Sequence, residues 1–462
     1  MTYTHDVIII GGGSAGYAAA RTAQAEGGNV GIVDHGPLAG LCILRGCMPT
    51  KTILRSSDIA ALIQRAPEFG LHSANLQVNL AAIIDRKNRL IKEFAEDRIQ
   101  SLQHPRFTLY QEKAHFRSPT EIQAGPHQLS AKVFIIATGS VVSRIPIPGL
   151  EEAGYLTSDD ALELRTIPDS MIVLGGGPVA LELAQFFSRL GVKVTLLQRS
   201  AHILSQSDKD LAQPVEARLQ EEGMQIFTNT HIQRVSSSGT DKTVQFLHNG
   251  QPRQITATTI LQALGRHPNI DPLYLPAAQV EIQKKTIVVN NEMRTSQPHI
   301  FAVGDVNGLH EIVHIAIEQG EIAGWNAIHH QQLSKQYDDR LKTQVVFTNP
   351  QVASVGLSER ECQAGHLPYL VASYPFNDHG KSLCLGETHG HVKVLCHPHS
   401  GEILGGHIVG PEASELIHEL IAIMYFRGNV RDLLRIPHYH PTLAEILTYP
   451  AEELIGQLPS SD

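Results

Sequence analysis

The sequence predicts an α/β protein: two doubly wound parallel sheets, one after the other along the chain, and a C-terminal α+β segment. Three observations predict it. A short apolar run leads into a glycine-rich turn and a helix at Gly11, and the same pattern recurs at Gly175, 164 positions later. Strand-like apolar runs alternate with helical periodicity, as parallel sheets with crossover helices require. From about Tyr337 the pattern changes to closely spaced strand-like runs, then a helix and a histidine-containing end.

The bulk numbers bound the reading. A chain of 462 residues exceeds one ordinary core, so roughly two to four domains are expected. Hydrophobic content of 42% and charged content of 18% describe an ordinary soluble globular protein. A net charge of −9 argues against a broad nucleic-acid surface. No apolar run approaches the roughly 20 residues of a membrane helix, and Met1-Thr2-Tyr3-Thr4-His5-Asp6 has no basic n-region, so neither membrane insertion nor a secretory signal is expected. Five cysteines are sparse and odd for a disulfide scaffold, which points to a reducing, cytoplasmic setting with one special pair. The 25 histidines are scattered without zinc-type Cys/His spacing, so no metal is expected.

Val7-Ile8-Ile9-Ile10 reads as a strand buried on both faces. It enters Gly11-Gly12-Gly13-Ser14-Ala15-Gly16, a G-x-G-x-x-G loop, followed by an alanine-rich helix. A second strand, Val30–Val33, ends in Asp34. Strand, glycine loop, helix and strand-end acid make a dinucleotide-binding fingerprint. The glycines admit a pyrophosphate, the helix start supplies amide donors and positive dipole, and Asp34 takes ribose hydroxyls. A merely glycine-rich tight turn is the alternative.

Next comes Gly40-Leu41-Cys42-Ile43-Leu44-Arg45-Gly46-Cys47-Met48-Pro49-Thr50-Lys51. Two cysteines separated by four residues inside a nucleotide-binding pattern suit redox chemistry, although free cysteine is often simply core. Helical periodicity follows over Lys51–Arg65 and Leu80–Leu102, with strand-like material at Phe107–Tyr110 and Glu121–Gln123. Val133-Phe134-Ile135-Ile136 is another buried strand, and the turn Ala137-Thr138-Gly139-Ser140 after it suits backbone contact with a cofactor. Pro146-Ile147-Pro148-Gly149 reads as a linker.

The second fingerprint runs from Met171–Leu174 into Gly175-Gly176-Gly177-Pro178-Val179-Ala180, then a helix containing Glu182. The strand Lys193–Leu197 ends in Gln198-Arg199-Ser200. A carboxylate at that tip favours a free ribose 2′-hydroxyl, whereas arginine accommodates a 2′-phosphate, so Gln198-Arg199 leans to NADPH. Arg199 in solvent, with NADH used, is the alternative. Ile260–Arg266, which includes Gly265, closes this region. Ile300–Asp305 reads as one more strand, whose Asp305 can return to the first nucleotide's sugar or ribityl chain. Helix is expected over His314–Ala327, carrying the single tryptophan, Trp325. Strands are expected at Gln344–Phe347, Val352–Val355, His391–Leu395 and Ile403–Val409, and a helix over Glu412–Arg427. The chain closes with His438-Tyr439-His440-Pro441-Thr442-Leu443-Ala444-Glu445 and a short tail.

Two dinucleotide fingerprints, C-x4-C after the first, and a terminal H-P-T-x-x-E together resemble the class I pyridine nucleotide–disulfide oxidoreductases, the flavoproteins that include dihydrolipoyl dehydrogenase, glutathione reductase and mercuric reductase. The likeness spans nearly the whole chain. Ala39, Leu41 and Thr50 are mild departures from the usual cysteine motif.

The resemblance implies a split FAD domain (1–147 and 266–336), an inserted NAD(P) domain (148–265) and a dimerisation domain (337–462). It implies FAD on the first loop and NAD(P)H on the second. Cys47 would be the flavin-side thiolate and Cys42 the interchange thiol. His440, oriented by Glu445, would be their base, supplied by the partner subunit of a homodimer. Lys51 would sit beside the flavin, paired with Glu182. Cofactor contacts are implied at Gly11, Gly13, Ser14, Ala15, Gly16, Asp34, Gly40, Cys42, Lys51, Ala114, Thr138, Gly139, Ser140, Gly304, Asp305 and Val313. On the nicotinamide side and its rim they are implied at Gly175, Gly177, Pro178, Val179, Ala180, Glu182, Gln198, Arg199, Gly265 and Arg266. His438, His267 and His314 read as structural or rim residues, and Cys362, Cys384 and Cys396 receive no role.

The implied partner is a small disulfide, a dithiol or a lipoyl-bearing substrate, with dihydrolipoyl dehydrogenase-like activity leading. A glutathione reductase-like or mercuric reductase-like NADPH enzyme remains open. The absence of cysteines from the tail and of an N-terminal CxxC module weakens the mercuric alternative. A flavin-bound redox sensor without fast turnover is the alternative from a different class.

Overall fold

The computed structural model describes residues 3–72, 75–329 and 334–459. Met1, Thr2 and the last three tail residues, on which part of the reading of the chain ends rests, lie outside the described residues. Contacts divide the chain into two compact units. The first comprises Met1–Thr52, Ala82–Arg144 and Gly265–Asp338; the second comprises Ile53–Ala81, Ile145–Leu264 and Asp339–Asp462. The second glycine-loop sheet and the C-terminal sheet share one unit, and Ile53–Ala81 joins it.

In the first unit, β1 (His5–Ile10) runs into α1 (Ser14–Ala25) and β2 (Val30–Val33). Then come α2 (Gly40–Arg45), α3 (Cys47–Arg65), which continues beyond the unit, and α4 (Leu80–Leu102). β3 (Thr108–Tyr110), β4 (Ala114–Ser118), β5 (Glu121–Ala124), β6 (His127–Ile136) and β7 (Ser140–Val142) follow. β3, β2, β1 and β6 lie side by side and parallel, and Ile300–Ala302 pairs in parallel with the far side of β6. The apolar run of β1 has a simple cause. Val7 and Ile9 enter one core with α1 and the helix Val313–Ile328, while Ile8 and Ile10 enter another with β4 and β5. Side chains alternate across a strand, so a sheet covered on both faces needs apolar residues at every position, each worth about 1.5–3 kcal/mol when buried. The alanines of α1 serve close packing: a Cβ on Gly320 would come 2.3 Å from the carbonyl oxygen of Ala15.

The second unit holds a four-stranded parallel sheet in the order Gln225–Phe227, Lys193–Leu197, Ser170–Leu174, Thr259–Gln262. It also holds a three-stranded antiparallel sheet over residues 230–257 and a five-stranded antiparallel sheet. The latter runs Thr343–Val346, Gln351–Gly356, Ile403–Gly410, His391–Cys396, Leu370–Pro375, with Ala413–Tyr425 packed on its middle strands.

Several expected boundaries shift. The helix expected from Lys51 begins at Cys47, and the cysteine segment before it is itself helical. β4 and Leu370–Pro375 were not expected: the alternation of Ala-His-Phe-Arg-Ser is only five residues long, and the second run ends in proline. The strand expected through Asp305 stops at Ala302, and Gly304–Asn307 forms a 3-10 turn that carries Asp305. The expected linker is fixed in place: Val235 N donates to Pro148 O at 2.8 Å, and Gly149 leaves no room for a Cβ beside Val235. Among the described residues, no helix is long and apolar enough to cross a membrane.

Candidate active site

The two glycine loops are built alike. Gly11 has φ +108, and a Cβ there would lie 2.3 Å from Ala137 O; Gly175 has φ +113, and its Cβ would lie 2.4 Å from Ala263 O. Only glycine fits this approach to the neighbouring strand end. Asp34 at the tip of β2 holds the first loop: Oδ2 accepts from Gly12 N at 2.6 Å and Oδ1 from Gly36 N at 2.7 Å. In the second loop Gln198 takes that place, its side chain facing Gly176 as Asp34 faces Gly12. The Gln198 amide donates to His202 O at 3.4 Å, and Arg199 beside it is exposed. α1 and Pro178–Arg189 both start at a glycine N-cap with no side-chain cap. Their first-turn amides and dipoles are therefore available to an anion. These cradles fit the pyrophosphate groups of FAD and of a nicotinamide nucleotide. Ser14, Ala15 and Gly16 form the first turn of α1. Pro178 and Ala180 stand at the second helix start, with Val179 exposed between them.

Residues expected at cofactor contacts bond to one another around Ser140, where Arg266, expected at the nicotinamide rim, joins Asp305. Ser140 Oγ donates to Asp305 Oδ2 at 2.6 Å. Arg266 clamps Ser140 from the other side, Nε to Oγ at 2.9 Å and Nη2 to the carbonyl oxygen at 2.8 Å. Thr138 Oγ1 donates to Asn269 O at 2.8 Å, and Gly139 O accepts from Asn269 N at 2.9 Å. Gly304 N donates to Gln319 Oε1 at 2.8 Å. Burial and the Asp305 charge push the Glu311 carboxyl up, against the pull of Arg266. Gly265 (φ +104) accepts from Ser143 N at 3.0 Å. Ala114 opens β4 inside the core, and Val313 opens its helix. On that helix Trp325 stacks on His329, and His314 is exposed. His267 Nδ1 lies 3.3 Å from Ser143 Oγ.

The cysteine segment packs on the first loop. Gly40 (φ +80) follows Ala39 (φ +97), and a Cβ on Gly40 would stand 2.6 Å from Gly13 Cα. α2 then carries Cys42, Gly46 breaks the helix, and Cys47 starts α3. All five cysteines are thiols, Cys42 half-buried and Cys47 exposed. The pair is chemically unequal. The Cys42 thiol is pushed far up, first by its hydrogen bond with Cys47, then by burial and the charge of Cys47, while Lys51 pulls the other way. Cys47 sits at a helix N-terminus, where the dipole favours a thiolate. Lys51, one turn on, shares its helix face.

In the second unit, His440 Nδ1 lies 3.0 Å from Glu445 Oε2. The histidine side chain is 79% exposed and the carboxylate 12%. His438 is held locally, with Nε2 2.7 Å from Glu419 Oε1 and Nδ1 2.8 Å from Ile436 O. The second oxygen of Glu445 has a neighbour that sequence reasoning missed, His379 Nε2 at 3.4 Å. His379 is 66 positions from Glu445 and in no motif. Glu182 Oε1 accepts from Phe347 N at 2.9 Å. Burial pushes the Cys396 thiol up to about 11 and also raises Cys362, while Cys384 is exposed. Among the described residues, no group of three or more His, Cys, Asp or Glu is arranged to hold a metal ion.

Comparison with known proteins follows the same outline. Residues 5–320 match the pyridine nucleotide-disulphide oxidoreductase family, and residues 343–451 match its dimerisation domain. A mercuric reductase of Staphylococcus aureus is 33% identical over 97% of this chain and 82% of its own length. A dihydrolipoyl dehydrogenase of Bacillus subtilis is 31% identical over 97% of this chain and 98% of its own. The solved structure of LpdA from Mycobacterium tuberculosis superposes with TM-score 0.88 at 27% identity, covering 97% of this chain and 99% of that one. The HOCl-induced flavoprotein disulfide reductase RclA of Escherichia coli shares the fold with TM-score 0.84 at 24% identity, over 97% of this chain and 99% of that one.

Proposed function

The chain belongs to the pyridine nucleotide-disulphide oxidoreductases, whose members bind FAD and NAD(P)H, and from that premise we propose that it exchanges electron pairs between NAD(P)H and a small disulfide, dithiol or lipoyl-bearing substrate, in the manner of a dihydrolipoyl dehydrogenase. The observation that carries the substrate class is the exposed His440 paired with Glu445 at 3.0 Å. A thiol or disulfide substrate needs a proton carrier at the sulfur, and an imidazole oriented by a carboxylate is one.

The chain's own residues account for the exchange. The Cys42 thiol is held protonated by its neighbour and by burial, so it needs a base to attack. His440 takes that proton. Cys42 Sγ bonds to one substrate sulfur as the substrate S–S bond breaks, and the leaving thiolate takes the proton back from His440. Cys47, as thiolate, then displaces the second substrate thiol from Cys42, closing the Cys42–Cys47 disulfide. Two electrons have passed to the substrate. FAD, when bound, carries the electron pair between NAD(P)H and the cysteine pair. Gln198 and Arg199 in place of a strand-end acid favour NADPH.

Tyr425, Phe426 and Tyr439 are 64%, 81% and 82% exposed within the region that matches the dimerisation domain. Tyr425 and Phe426 are in ring contact, and large apolar side chains exposed side by side call for a covering surface. This supports a homodimer in which each subunit supplies His440 to the other's cysteines. The 33% identity to a mercuric reductase favours metal-ion reduction as the second reading.

Steady-state turnover with NADPH and NADH, each against lipoamide, glutathione disulfide and Hg(II), tests the reading. Lipoamide is expected to be the best acceptor, and Hg(II) turnover alone would replace it with the second reading. His440→Ala should slow dithiol–disulfide exchange by 100-fold or more, on the order expected of an acid–base residue, while NADPH still bleaches the flavin. Equal loss of both half-reactions would remove His440 from its role.

A further inference from the structure

Glu445 stands between two imidazoles, and the second has no place in the exchange just described. His379 is fully buried at the end of the 3-10 turn Phe376–Asp378. Its Nδ1 lies 2.8 Å from Ser382 Oγ, itself fully buried, and its Nε2 lies 3.4 Å from Glu445 Oε1. That Nε2 makes no well-aligned hydrogen bond. A buried ring nitrogen left this way is costly, and its placement calls for a reason. The carboxylate it faces is the one that orients His440.

We propose that His379 is a positioning residue: with Ser382 it holds Glu445 so that the carboxylate keeps hold of His440. The inference rests on the proposed role of His440. With the Ser382 hydroxyl as donor to Nδ1, the ring proton falls on Nε2, the nitrogen that lies 3.4 Å from Glu445 Oε1. Burial keeps His379 neutral against the pull of Glu445, and His440 acts in the same sense as burial. A neutral ring packed beside one carboxylate oxygen leaves the other for His440 and limits the carboxylate's freedom to rotate.

The surroundings are built to hold the ring still. Phe376 is fully buried, and Gly410 has no space for a side chain beside it. The Tyr374 hydroxyl donates to Asp378 Oδ2 at 3.0 Å, Tyr374 stacks on Tyr449 at 4.1 Å, and Tyr449 presents a ring edge to His379. The titratable groups facing the site are therefore Glu445, His440, Asp378 and the two tyrosines.

The experiment uses the FAD-loaded protein and reads His440 directly. Diethyl pyrocarbonate modifies unprotonated imidazole, so the pH dependence of carbethoxylation at His440, followed by peptide mass spectrometry, gives its protonation midpoint without turnover. In His379→Phe the carboxylate is free to turn away from His440 and favours the imidazolium less, so the midpoint should fall. Dithiol–disulfide exchange should slow about tenfold, flavin reduction by NADPH should be unchanged, and His379→Gln should recover most of both losses. Ser382→Ala, a smaller change on the short helix Gly380–Leu385, should move the midpoint in the same direction by less. An unchanged or raised midpoint in folded His379→Phe and Ser382→Ala would overturn the proposal. His440→Ala in the same exchange assay separates the two claims: if it leaves exchange intact, the base assignment fails, while the midpoint shift still judges the His379 contact.

Discussion

The Cα of Gly13, in the first glycine loop, stands 2.6 Å from where a Cβ on Gly40 would be. The cysteine-bearing segment is thus seated on the nucleotide loop backbone to backbone, with φ +80 at Gly40 to make the approach. Gly40→Ala should combine a backbone clash with left-handed strain, about 2–4 kcal/mol in all. The measurement is thermal unfolding together with the ratio of flavin to protein absorbance, both of which should drop. Gly13→Ala is the control for the chain alone, since its Cβ would meet nothing nearer than 3.8 Å. An apo melting temperature as low for Gly13→Ala as for Gly40→Ala would contradict the explanation.

The inequality of the two thiols is testable in the reduced protein. The largest cause raising Cys42 is its hydrogen bond with Cys47, and the Cys47 charge adds to it. Cys47→Ala removes both. Alkylation of Cys42 by iodoacetamide at pH 7.5 should then run faster, roughly tenfold, because a larger share of the thiol ionises. A rate that stays constant would place the cause in burial alone.

Nucleotide choice is tested at the exposed tip of the second sheet. Arg199→Ala should raise the KM for NADPH on the order of tenfold, the scale of one lost charge-assisted phosphate contact, and leave the KM for NADH nearly constant. Parallel losses for both nucleotides would indicate a structural role for Arg199.

A pH response is expected from the fold itself. His407 is buried in the C-terminal sheet, its Nε2 3.0 Å from Leu357 O, and burial with the nearby Lys393 charge lowers its pKa to about 4. The unfolded chain binds a proton near 6.5 and the folded chain only near 4, so stability falls as pH drops through that window, by about 3 kcal/mol at the full difference. The neighbouring Asp208 and Asp210, each bound to Lys393, have lowered pKa values and stay ionised there. Urea unfolding at pH 7 and pH 4.5 should show this loss, and His407→Gln should shrink it. An equal loss in the variant would assign the effect elsewhere.

The two nucleotide loops were legible because glycine spacing, apolar run and strand-end residue lie within about 25 positions of each other. His440 and Glu445 were legible for the same reason, five positions apart. Ser140, Arg266 and Asp305 were each expected near a cofactor, yet their mutual network was not, because it joins three distant segments through side-chain direction alone. His379 was invisible: one histidine among 25, it gains meaning only when Phe376–Asp378 is folded against Glu445. β4 and Leu370–Pro375 escaped because their patterns are short, and pairing with β5 and with His391–Cys396 is what makes them strands.

The strand Ile300–Ala302 lies against β6, whose last residue is Ile136, so the first sheet is finished by a piece made 164 residues later. At roughly 5–20 residues per second, a ribosome needs roughly ten to thirty seconds to supply it. During that time β6 presents an open, strongly apolar edge to whatever is nearby. The intervening segment, with its own complete parallel sheet, can fold in the interval, so the order of birth along the chain reverses the order of completion.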